Sequence, residues 1–562
     1  GRSILYGPPA DGSILMNKIG GNQKPTPGAV VPTQVPPRPQ LDTEAPATPV
    51  GVQAAAGGGF VTVTWTANTE PDLFGYNLYK NGEFEHFIPA SQQQFTVYGL
   101  TGNTAYAFEL SAVDTSGNES PRSPAVTAMP SHQPVTQQER TVHPRSPAYQ
   151  TLWDISDDGP VIPGLAEGLV PQGLAYLEDE NWLVTVNYMD DGRPGVVSAV
   201  DAATGELVKS LVLYEETGAP YTGHAGGIAI SDRHVWIASE TYLYRILLED
   251  FLAAQDGEEI RFASRIPVPI EAAFATFSEG VLWVGEFYEA GSYPTDPSHH
   301  LTNRDGSTYY AWMAGYELDA ATDTVSPESW DGDPNDPAIP DYILSIPEKI
   351  QGAVVREDAI ILSSSYGRGN NSLLYRYENP TVGPPHASVT VGGRNLPVWF
   401  LDSQAEKPSN SRLTVIPMSE GIADVGDVLY VLFESGANKY RYTTAYIMDR
   451  MLMIDLDLWD QYGTVYIGGL PETMRPGATA QAKVLKARGK SQPEDLTALY
   501  QFASSKPIVA RVTPDGLVKA RAPGQAKITA TNGTETLSFW LTVKPPGPPE
   551  PPKPPKPPKP EK

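Results

Sequence analysis

Five polar residues occupy the same place in successive copies of an internal repeat, and their side chains are of types that bind ligands. Each precedes a short strand of small residues. The residue itself is polar, whereas that strand and the next one are apolar. The five residues are Gln172, His224, Glu271, Gln351 and Glu420. Carboxylate, amide and imidazole groups gathered around one axis can hold a cation, a water cluster or a small ligand. The sequence therefore predicts a shared binding site, with simple solvation of a channel mouth as the alternative.

The repeat that carries these residues has the pattern of a four-stranded unit. A small-residue strand leads through a tight polar turn to a strongly apolar strand, and outer strands ending in Tyr or Asp follow in most copies. The clear copies span 171–186, 223–239, 269–287, 349–365 and 418–435. A repeated four-stranded unit is typical of a β-propeller, whose innermost strands surround a central channel. We therefore predict a propeller over 151–461, with five clear units and one or two degenerate ones, and the five polar residues lining its axis.

One dipeptide at this predicted axis carries a more specific resemblance. Glu420-Gly421 resembles the glutamate-glycine turn of calcium-dependent six-bladed lactonase-type propellers. The resemblance implies that Glu420 is a metal ligand and that the chain could act on a lactone. The Asn and Asp that complete the site in that family have no assignable counterparts here.

A second candidate for metal binding lies in an acidic insertion of the same region. Asp331, Asp333, Asn335 and Asp336 bring closely spaced oxygen ligands together, as a calcium loop does. The segment lacks the downstream bidentate Glu of an EF-hand, and its prolines restrict wrapping around an ion. Ca²⁺ is thus the one ion left open, an exposed acidic loop is the alternative, and no other cofactor is predicted.

Residues 42–129 read as short alternating strands separated by turns, which is the pattern of a β-sandwich. The stretch resembles a fibronectin type III domain: Trp65 matches its core tryptophan, and Leu100 with Thr104-x-Tyr106 matches its tyrosine corner. The resemblance implies a spacer or binding module rather than a catalyst.

Residues 462–544 return to sandwich patterning after the predicted propeller. They resemble a bacterial Ig-like domain of group 2, on the motif Ser504-Ser505-x-Pro507-x-Val509 and on the repeat of small and apolar residues from Gly524 to Ala530. That family implies a surface-exposed bacterial or phage protein. The predicted fold class is therefore all-β and multidomain, with two Ig-like sandwiches flanking a propeller.

Extended segments join or end these modules. Residues 1–41 form an N-terminal arm and Pro-rich spacer, 130–150 a polar linker, and 545–562 a polyproline tail. The arm contains two strand-length apolar runs without an obvious local partner: Ile4, Leu5, Tyr6, Ile14, Leu15 and Met16. We predict that these residues mediate assembly by adding a strand to a neighbouring subunit, with a disordered leader as the alternative.

Composition limits the partners of the chain. Lys and Arg number 40 against 66 Asp and Glu, for a net charge of −26, which disfavours nucleic acid. No apolar run is long enough for membrane insertion, and the absence of cysteine excludes disulfides and thiolate metal sites. The expected location is secreted, extracellular or at the cell surface.

Two classes of function follow. The first is a non-enzymatic bacterial surface or assembly protein, such as a filament subunit or adhesin, which self-associates or contacts other surface proteins or glycan. Its variant is a phage tail or virion surface protein. The second is a secreted propeller hydrolase or lyase acting on polysaccharide or lactone. No catalytic motif is visible in the sequence, which favours the first class and leaves an enzyme open.

Overall fold

In the computed structural model, residues 42–545 are described in full, together with the backbone of two short strands, β1 (Ile4–Gly7) and β2 (Leu15–Lys18). These strands pair antiparallel with each other, with Tyr6 opposite Met16. The expectation that the two runs lack a local partner is therefore wrong for the backbone. Their side chains, Ile14, most of the Pro-rich spacer and the tail after 545 lie outside the described residues, so strand addition to a neighbouring subunit stays a prediction.

The chain divides into two compact units, residues 1–134 and 135–562. The first contains a sandwich of a three-stranded sheet, in the order β3-β4-β7, and a four-stranded sheet, in the order β6-β5-β8-β9. Its strands are β3 (Val50–Ala56), β4 (Phe60–Thr66), β5 (Leu73–Lys80), β6 (Glu83–Pro89), β7 (Gln94–Tyr98), β8 (Tyr106–Asp114) and β9 (Val126–Ala128).

The core of this sandwich contains the residues that the sequence singled out. The indole of Trp65 meets the ring of Tyr76 edge-on, with centroids 5.1 Å apart, which is a favoured geometry for aromatic pairs. The hydroxyl of Tyr106 accepts a hydrogen bond from the backbone N–H of Thr101 at 3.1 Å, and Leu100 is buried beside it. The predicted tyrosine corner is present, and it fixes the loop before β8.

The second unit begins within the segment that the sequence predicts to be a polar linker. From Thr136 onward its side chains and backbone form hydrogen bonds with the region that follows. Gln137 donates to the carbonyl of Val161 at 2.7 Å, and the carboxylate of Asp449 accepts from the backbone N–H groups of Arg140 and Thr141, both at 2.7 Å. Composition alone does not distinguish such a segment from a solvated linker.

Five sheets, antiparallel except for the pairs β14 with β18 and β25 with β30, and three six-residue helices make up most of the second unit. The first strands are β10 (Ser156–Val161), β11 (Leu169–Leu177), β12 (Trp182–Met189), β13 (Val196–Asp201), β14 (Leu207–Tyr214), β15 (Gly227–Ile230), β16 (His234–Ser239), β17 (Tyr242–Leu247), β18 (Glu259–Arg261) and β19 (Ser264–Pro267). The next are β20 (Phe274–Ser278), β21 (Val281–Gly285), β22 (Leu301–Thr302), β23 (Thr308–Tyr309), β24 (Ala311–Glu317), β25 (Tyr342–Ile346), β26 (Ile350–Val355), β27 (Ala359–Ser364), β28 (Ser372–Glu378), β29 (Ala387–Val391), β30 (Arg394–Phe400) and β31 (Arg412–Val415). The last are β32 (Ser419–Val425), β33 (Val428–Phe433) and β34 (Arg450–Asp455). The helices are α1 (Gln150–Ile155), α2 (Leu248–Ala253) and α3 (Leu456–Gln461).

We number the sheets I to V along the chain. Sheet I contains β11–β14 and β18, sheet II contains β15–β17 and β19, and sheet III contains β20, β21, β24, β25, β30 and β29. Sheet IV contains β26–β28 and β31, and sheet V contains β32–β34 with β10 as its fourth strand. Because β10 pairs antiparallel with β34, strands from both ends of this region complete sheet V.

The first strand of each sheet, its inner strand, lies beside the inner strands of two other sheets. The order is β11, β15, β20, β26, β32 and back to β11. Glycines make this approach close: a Cβ on Gly173 would lie 2.6 Å from the backbone nitrogen of Ile228, and one on Gly421 would lie 2.5 Å from that of Leu174. The small-residue positions of the sequence repeat are therefore the places where neighbouring backbones meet.

Apolar side chains fill the space between successive sheets. Between sheets I and II, for example, Val184 and Leu211 form one buried cluster with Ile228 and Ile237. In β12 the clustered residues Val184 and Val186 alternate along the strand, which directs both to one face of sheet I. The strongly apolar second strand of each repeat thus supplies the core, and the repeat pattern reflects this packing.

The second sandwich completes the unit. Its strands are β35 (Val465–Gly468), β36 (Thr473–Met474), β37 (Thr479–Gln481), β38 (Lys483–Lys486), β39 (Glu494–Asp495), β40 (Gln501–Ser504), β41 (Ala510–Val512), β42 (Leu517–Ala520), β43 (Gly524–Thr531) and β44 (Thr536–Val543). The backbone N–H of Lys490 donates to the carbonyl of Asp154 in α1 at 2.6 Å, and Ser491 donates to its carboxylate at 2.6 Å. These bonds join the second sandwich to α1, which leads directly into β10. Among the described residues, no helix is long and apolar enough to cross a membrane.

Replacing Gly173 by alanine should destabilise the five sheets. The new methyl would collide with the backbone of β15, which cannot rotate away as a side chain can, so we expect a loss of about 1–3 kcal/mol in the free energy of unfolding. Urea denaturation followed by tryptophan fluorescence measures it. Gly369→Ala is the control, because nothing lies within 4 Å of that position and its φ is not positive. Equal effects of the two substitutions would contradict close backbone packing at Gly173.

Candidate functional site

A cavity of about 930 Å³ is lined by residues of the five sheets and of the segments that flank their strands. All five polar residues predicted from the repeat, from Gln172 to Glu420, contribute to its wall. Each lies at the start of its inner strand or a few residues before it. The structure therefore brings together the whole set that the sequence proposed as one site, and a ligand-binding role for that set stays a prediction.

Backbone irregularities aim three of these side chains. The pairing of β11 with β12 shifts register between Pro171 and Gly173, which leaves Gln172 as an extra residue. The same shift occurs at Gln351 in β26 and around Glu420 in β32. A β-bulge redirects the side chain of the extra residue and is common beside functional sites. The repeat thus carries a bulge at the cavity in sheets I, IV and V.

A second set of residues lines the same cavity and was missed by the sequence reasoning. It stands at or just after the end of the second strand of each sheet, and it consists of Tyr188, Glu240, Phe287, Ser365 and Glu434. Strand register places four of them alike: each lies two positions beyond the second-strand residue that pairs with Gly173, Gly227, Phe274 or Gly352 of the inner strand. The signal that could have identified them is the residue that ends each strongly apolar run.

Glu420 and Glu434 form a hydrogen-bonded carboxyl pair in sheet V. Burial raises the pKa of Glu420 well above its ordinary value, and the negative charge of Glu434 raises it further. Burial also raises the pKa of Glu434, to about 7, against the lowering effects of its bond to Glu420 and of the Lys439 charge. One proton is therefore shared near neutral pH, as expected for adjacent carboxyl groups. The amide of Gln172 donates to Glu434 at 3.4 Å.

Tyrosines and a lysine surround this pair. The ammonium of Lys439 donates to the hydroxyl of Tyr188 at 2.6 Å, and that hydroxyl lies 3.3 Å from the hydroxyl of Tyr440. Burial and the charge of Glu434 raise the pKa of Tyr440 to about 12. The ring of Tyr188 lies 4.5 Å from the imidazole of His224, whose pKa is lowered by the surrounding walls and by Lys439. At neutral pH both tyrosines are protonated and the imidazole is neutral.

Aromatic rings form another part of the wall. The ring centroid of Phe287 lies 5.3 Å from that of Tyr293 and 5.9 Å from that of Tyr366. Tyr293 is 55% exposed, so one of its faces is open to a ligand. Rings with an open face stack on flat apolar surfaces, while their hydroxyls bind polar groups. The cavity can therefore hold a molecule that carries both apolar faces and hydroxyl groups.

The calcium role implied for Glu420 is not supported by the groups around it. Glu434 is its one carboxyl partner, and among the described residues no third carboxylate or imidazole lies close enough to share an ion with the two. A hard cation such as Ca²⁺ takes six to eight oxygen ligands. Two carboxyl groups that share a proton fit hydrogen bonding to a ligand better than they fit a lactonase-type metal site.

The acidic loop at 331–336 does not gather its oxygens either. Its four predicted ligands are exposed, and two of them bind the backbone of the loop itself: Asp331 accepts from the N–H of Asp333 at 3.0 Å, and Asp333 accepts from that of Asn335 at 2.9 Å. These side chains cap turns, which is the common role of Asp and Asn in loops. The structure thus favours the acidic-loop alternative over the calcium loop, because the carboxylates point to backbone amides and not to one another.

Three other carboxylates do converge, at the first sandwich. One oxygen each of Asp42, Asp72 and Asp114 lie within 4.8 Å of one another, which makes them the one group of this kind among the described residues. A side-chain hydrogen bond that Asp72 donates to Asp42 raises the pKa of Asp72. A divalent cation could replace the shared proton at this position. The sequence reasoning missed the group because its members are far apart in the chain.

The carboxyl pair predicts a pH-dependent stability. Because the pKa values of both glutamates are raised in the folded state, the folded chain holds more protons than the unfolded chain above pH 4.5. The stabilisation is complete below that pH and is lost as the pH rises through about 7, at about 1.4 kcal/mol for each unit of pKa difference. Glu420→Gln keeps a donor to Glu434 without a proton to lose, so it should raise the melting temperature at pH 8 more than at pH 5.5.

Scanning calorimetry at the two pH values checks this expectation. Glu357→Gln is the matched control, since Glu357 is exposed on a bend away from the cavity. An identical pH response of the wild-type chain and Glu420→Gln would show that the pair is not protonated in the folded state.

Comparison with known proteins finds a family for most of the second sandwich. Residues 473–543 match the bacterial Ig-like domain (group 2) family. The chain is 39% identical over 88 residues to exoglucanase B of Cellulomonas fimi, covering 15% of this chain and 8% of that protein. It is 40% identical over 89 residues to an alpha-amylase of Niallia circulans, covering 16% of this chain and 7% of that protein. It is 33% identical over 122 residues to chitinase A1 of the same organism, covering 21% of this chain and 16% of that protein. The chain thus spans less than a fifth of each of these relatives.

Similar solved structures also cover a module-sized part of the chain. The structure of FN3tt mut is 22% identical over 15% of this chain and 97% of that chain, with a TM-score of 0.14. The spore cortex lytic enzyme SleM of Clostridium perfringens is 26% identical over 15% of this chain and 28% of that chain, with a TM-score of 0.14. On its own sheets and on the family match, the chain is an all-β multidomain protein that contains a bacterial Ig-like module and a fibronectin type III-like module.

Proposed function

We propose that this chain is an extracellular bacterial surface protein that binds a saccharide in the central cavity of a five-bladed β-propeller. Support for the propeller is the cyclic order of the five inner strands, together with β10 completing sheet V. Propellers combine such sheets around a channel, and their loops or channel mouths hold ligands. The fibronectin type III-like and Ig-like modules then act as spacers or as secondary contacts with surface proteins or glycan.

The observation that carries the saccharide assignment is the chemistry of the cavity wall. The exposed ring of Tyr293 and the half-buried ring of Tyr366 suit the apolar face of a sugar ring. Amide and carboxyl groups at Gln172, Gln351 and Glu271 suit its hydroxyls. The relatives named exoglucanase, alpha-amylase and chitinase support a polysaccharide setting, although the similarity covers a small part of each.

Binding is favoured over glycoside hydrolysis by the geometry of the carboxyl pair. Hydrolases with two carboxyl groups hold them about 5–9.5 Å apart, on either side of the bond that is cleaved. Glu420 and Glu434 are hydrogen-bonded directly to each other and come from neighbouring strands of one sheet. They cannot flank a glycosidic bond. The hydrolase or lyase alternative would need its acid and base elsewhere, for instance at Glu240 and Glu271.

A polysaccharide binding test examines the proposed function. The purified full chain is run through native gels that contain single soluble polysaccharides, and retardation measures binding. We expect retention by at least one polysaccharide, and about tenfold weaker binding for Tyr293→Ala and Tyr366→Ala, equivalent to about 1.4 kcal/mol.

Trp540→Ala is the control, because Trp540 is 61% exposed on the second sandwich and lies outside the cavity. Binding that is lost in Trp540→Ala but kept in both tyrosine variants would assign the saccharide to the Ig-like module. Absence of retention by any polysaccharide would refute the proposal.

A further inference from the structure

Two cations stand at the cavity beside the same aromatic ring. The Nζ atom of Lys439 and the Cζ atom of Arg368 each lie 5.1 Å from the ring centroid of Tyr440. Both side chains line the cavity and both are exposed. The two residues come from the segments that follow β33 and β27, so sheets V and IV each supply one positive charge to this side of the wall.

These cations bond to hydroxyls and not to carboxylates. Lys439 donates to Tyr188, and Arg368 donates to the hydroxyl of Thr443 at 2.8 Å. Within the part of the chain that the structure describes, neither has a carboxylate oxygen within 4.0 Å. The chain has 66 acidic and 40 basic residues, so acidic groups are abundant. Two neighbouring cations left without one at a cavity favour an anionic ligand group.

Negative charge lies on other parts of the wall. Glu240 and Glu271 are exposed to the cavity and belong to the sides formed by sheets II and III. Nearer to Lys439, the hydrogen bond between Glu420 and Glu434 requires one of the two carboxyl groups to be protonated. That pair therefore contributes one negative charge rather than two. Negative charge therefore lies on the side of sheets II and III, and positive charge lies on the side of sheets IV and V. The side of sheets IV and V is the one that suits an anionic group.

We propose that the ligand of this cavity is an acidic saccharide whose carboxylate or sulfate group lies between Lys439 and Arg368. The inference rests on the proposed function, because the aromatic wall supplies the argument for a sugar ring. Lysine offers a point charge and arginine a planar set of donors, and the hydroxyl of Tyr440 hydrogen-bonds to Glu434 of the carboxyl pair. Neutral portions of the ligand extend toward Tyr293 and Tyr366.

The test compares acidic and neutral saccharides on the intact chain. Isothermal titration calorimetry is carried out with oligogalacturonates, their fully methyl-esterified forms, sulfated chondroitin oligosaccharides and neutral cello-oligosaccharides. Methyl esterification removes the charge and keeps the sugar backbone. We expect an acidic probe to bind at least about tenfold more tightly than the neutral probes, and the preference to shrink as salt is raised from about 0.05 M to about 0.5 M. The carboxylate and sulfate arms show which anionic group is preferred.

Substitutions assign the preference to the two cations. Lys439→Met and Arg368→Met should each weaken binding of the acidic probe about tenfold and leave the neutral probes unchanged. Lys439→Arg should retain the preference, because it keeps the charge. Arg261→Met is the control, since Arg261 is 58% exposed on β18 and lies outside the cavity.

The outcomes separate this inference from the proposed function. Equal binding of acidic and neutral probes, with no effect of the two methionine variants, would overturn the inference and leave saccharide binding intact. Binding of an acidic probe that both methionine variants retain would place the anionic group elsewhere and overturn it as well. Failure of the wild-type chain to bind any of the four probes or any polysaccharide would overturn both.

Discussion

The close approach of five inner-strand backbones is the constraint on which the second unit depends. A Cβ at Gly173 or Gly421 would collide with the backbone of the next inner strand, so these positions are restricted to glycine. Where the strands meet this closely, their starting ends surround a common space. The polar residues at those ends then share one cavity although they are far apart in the chain. The packing that closes the sheets into a cyclic order is thus also what forms the candidate site.

Two local features place polar and aromatic side chains in the cavity that this packing forms. Bulges at Gln172, Gln351 and Glu420 direct polar side chains into the cavity from strands that otherwise bury apolar residues. Residues that end the second strands add a second polar and aromatic layer, including Tyr188 and Glu434. Because the second strands are strongly apolar, the carboxyl and phenol groups beside their ends are buried. This burial raises the pKa values of Glu420, Glu434 and Tyr440. The core of each sheet and the electrostatics of the cavity are therefore coupled.

Sequence patterns predicted the features that repeat and missed those that depend on contacts between distant segments. The five positions from Gln172 to Glu420 were found because they hold one place in the repeat. Glu434 was missed, since its importance comes from Glu420 on the adjacent strand. The hydrogen bonds of Arg140 to distant backbone could not be read from a polar, Pro-containing stretch. The acidic loop at Asp331 looked like a calcium loop because composition gives the ligands without the directions in which they point.

A cysteine cross-link between β10 and β34 tests the closure of the five sheets most directly. Asp157 and Met453 are directly opposed in this pairing, and the chain contains no cysteine of its own. Opposed residues of antiparallel strands lie within the Cα separation that a disulfide accepts. The double variant Asp157→Cys/Met453→Cys should therefore form an intramolecular disulfide on mild oxidation, seen as faster migration in non-reducing gels, whereas Asp157→Cys/Arg261→Cys should not. Absence of the cross-link in the first variant, or equal cross-linking in both, would contradict closure through β10.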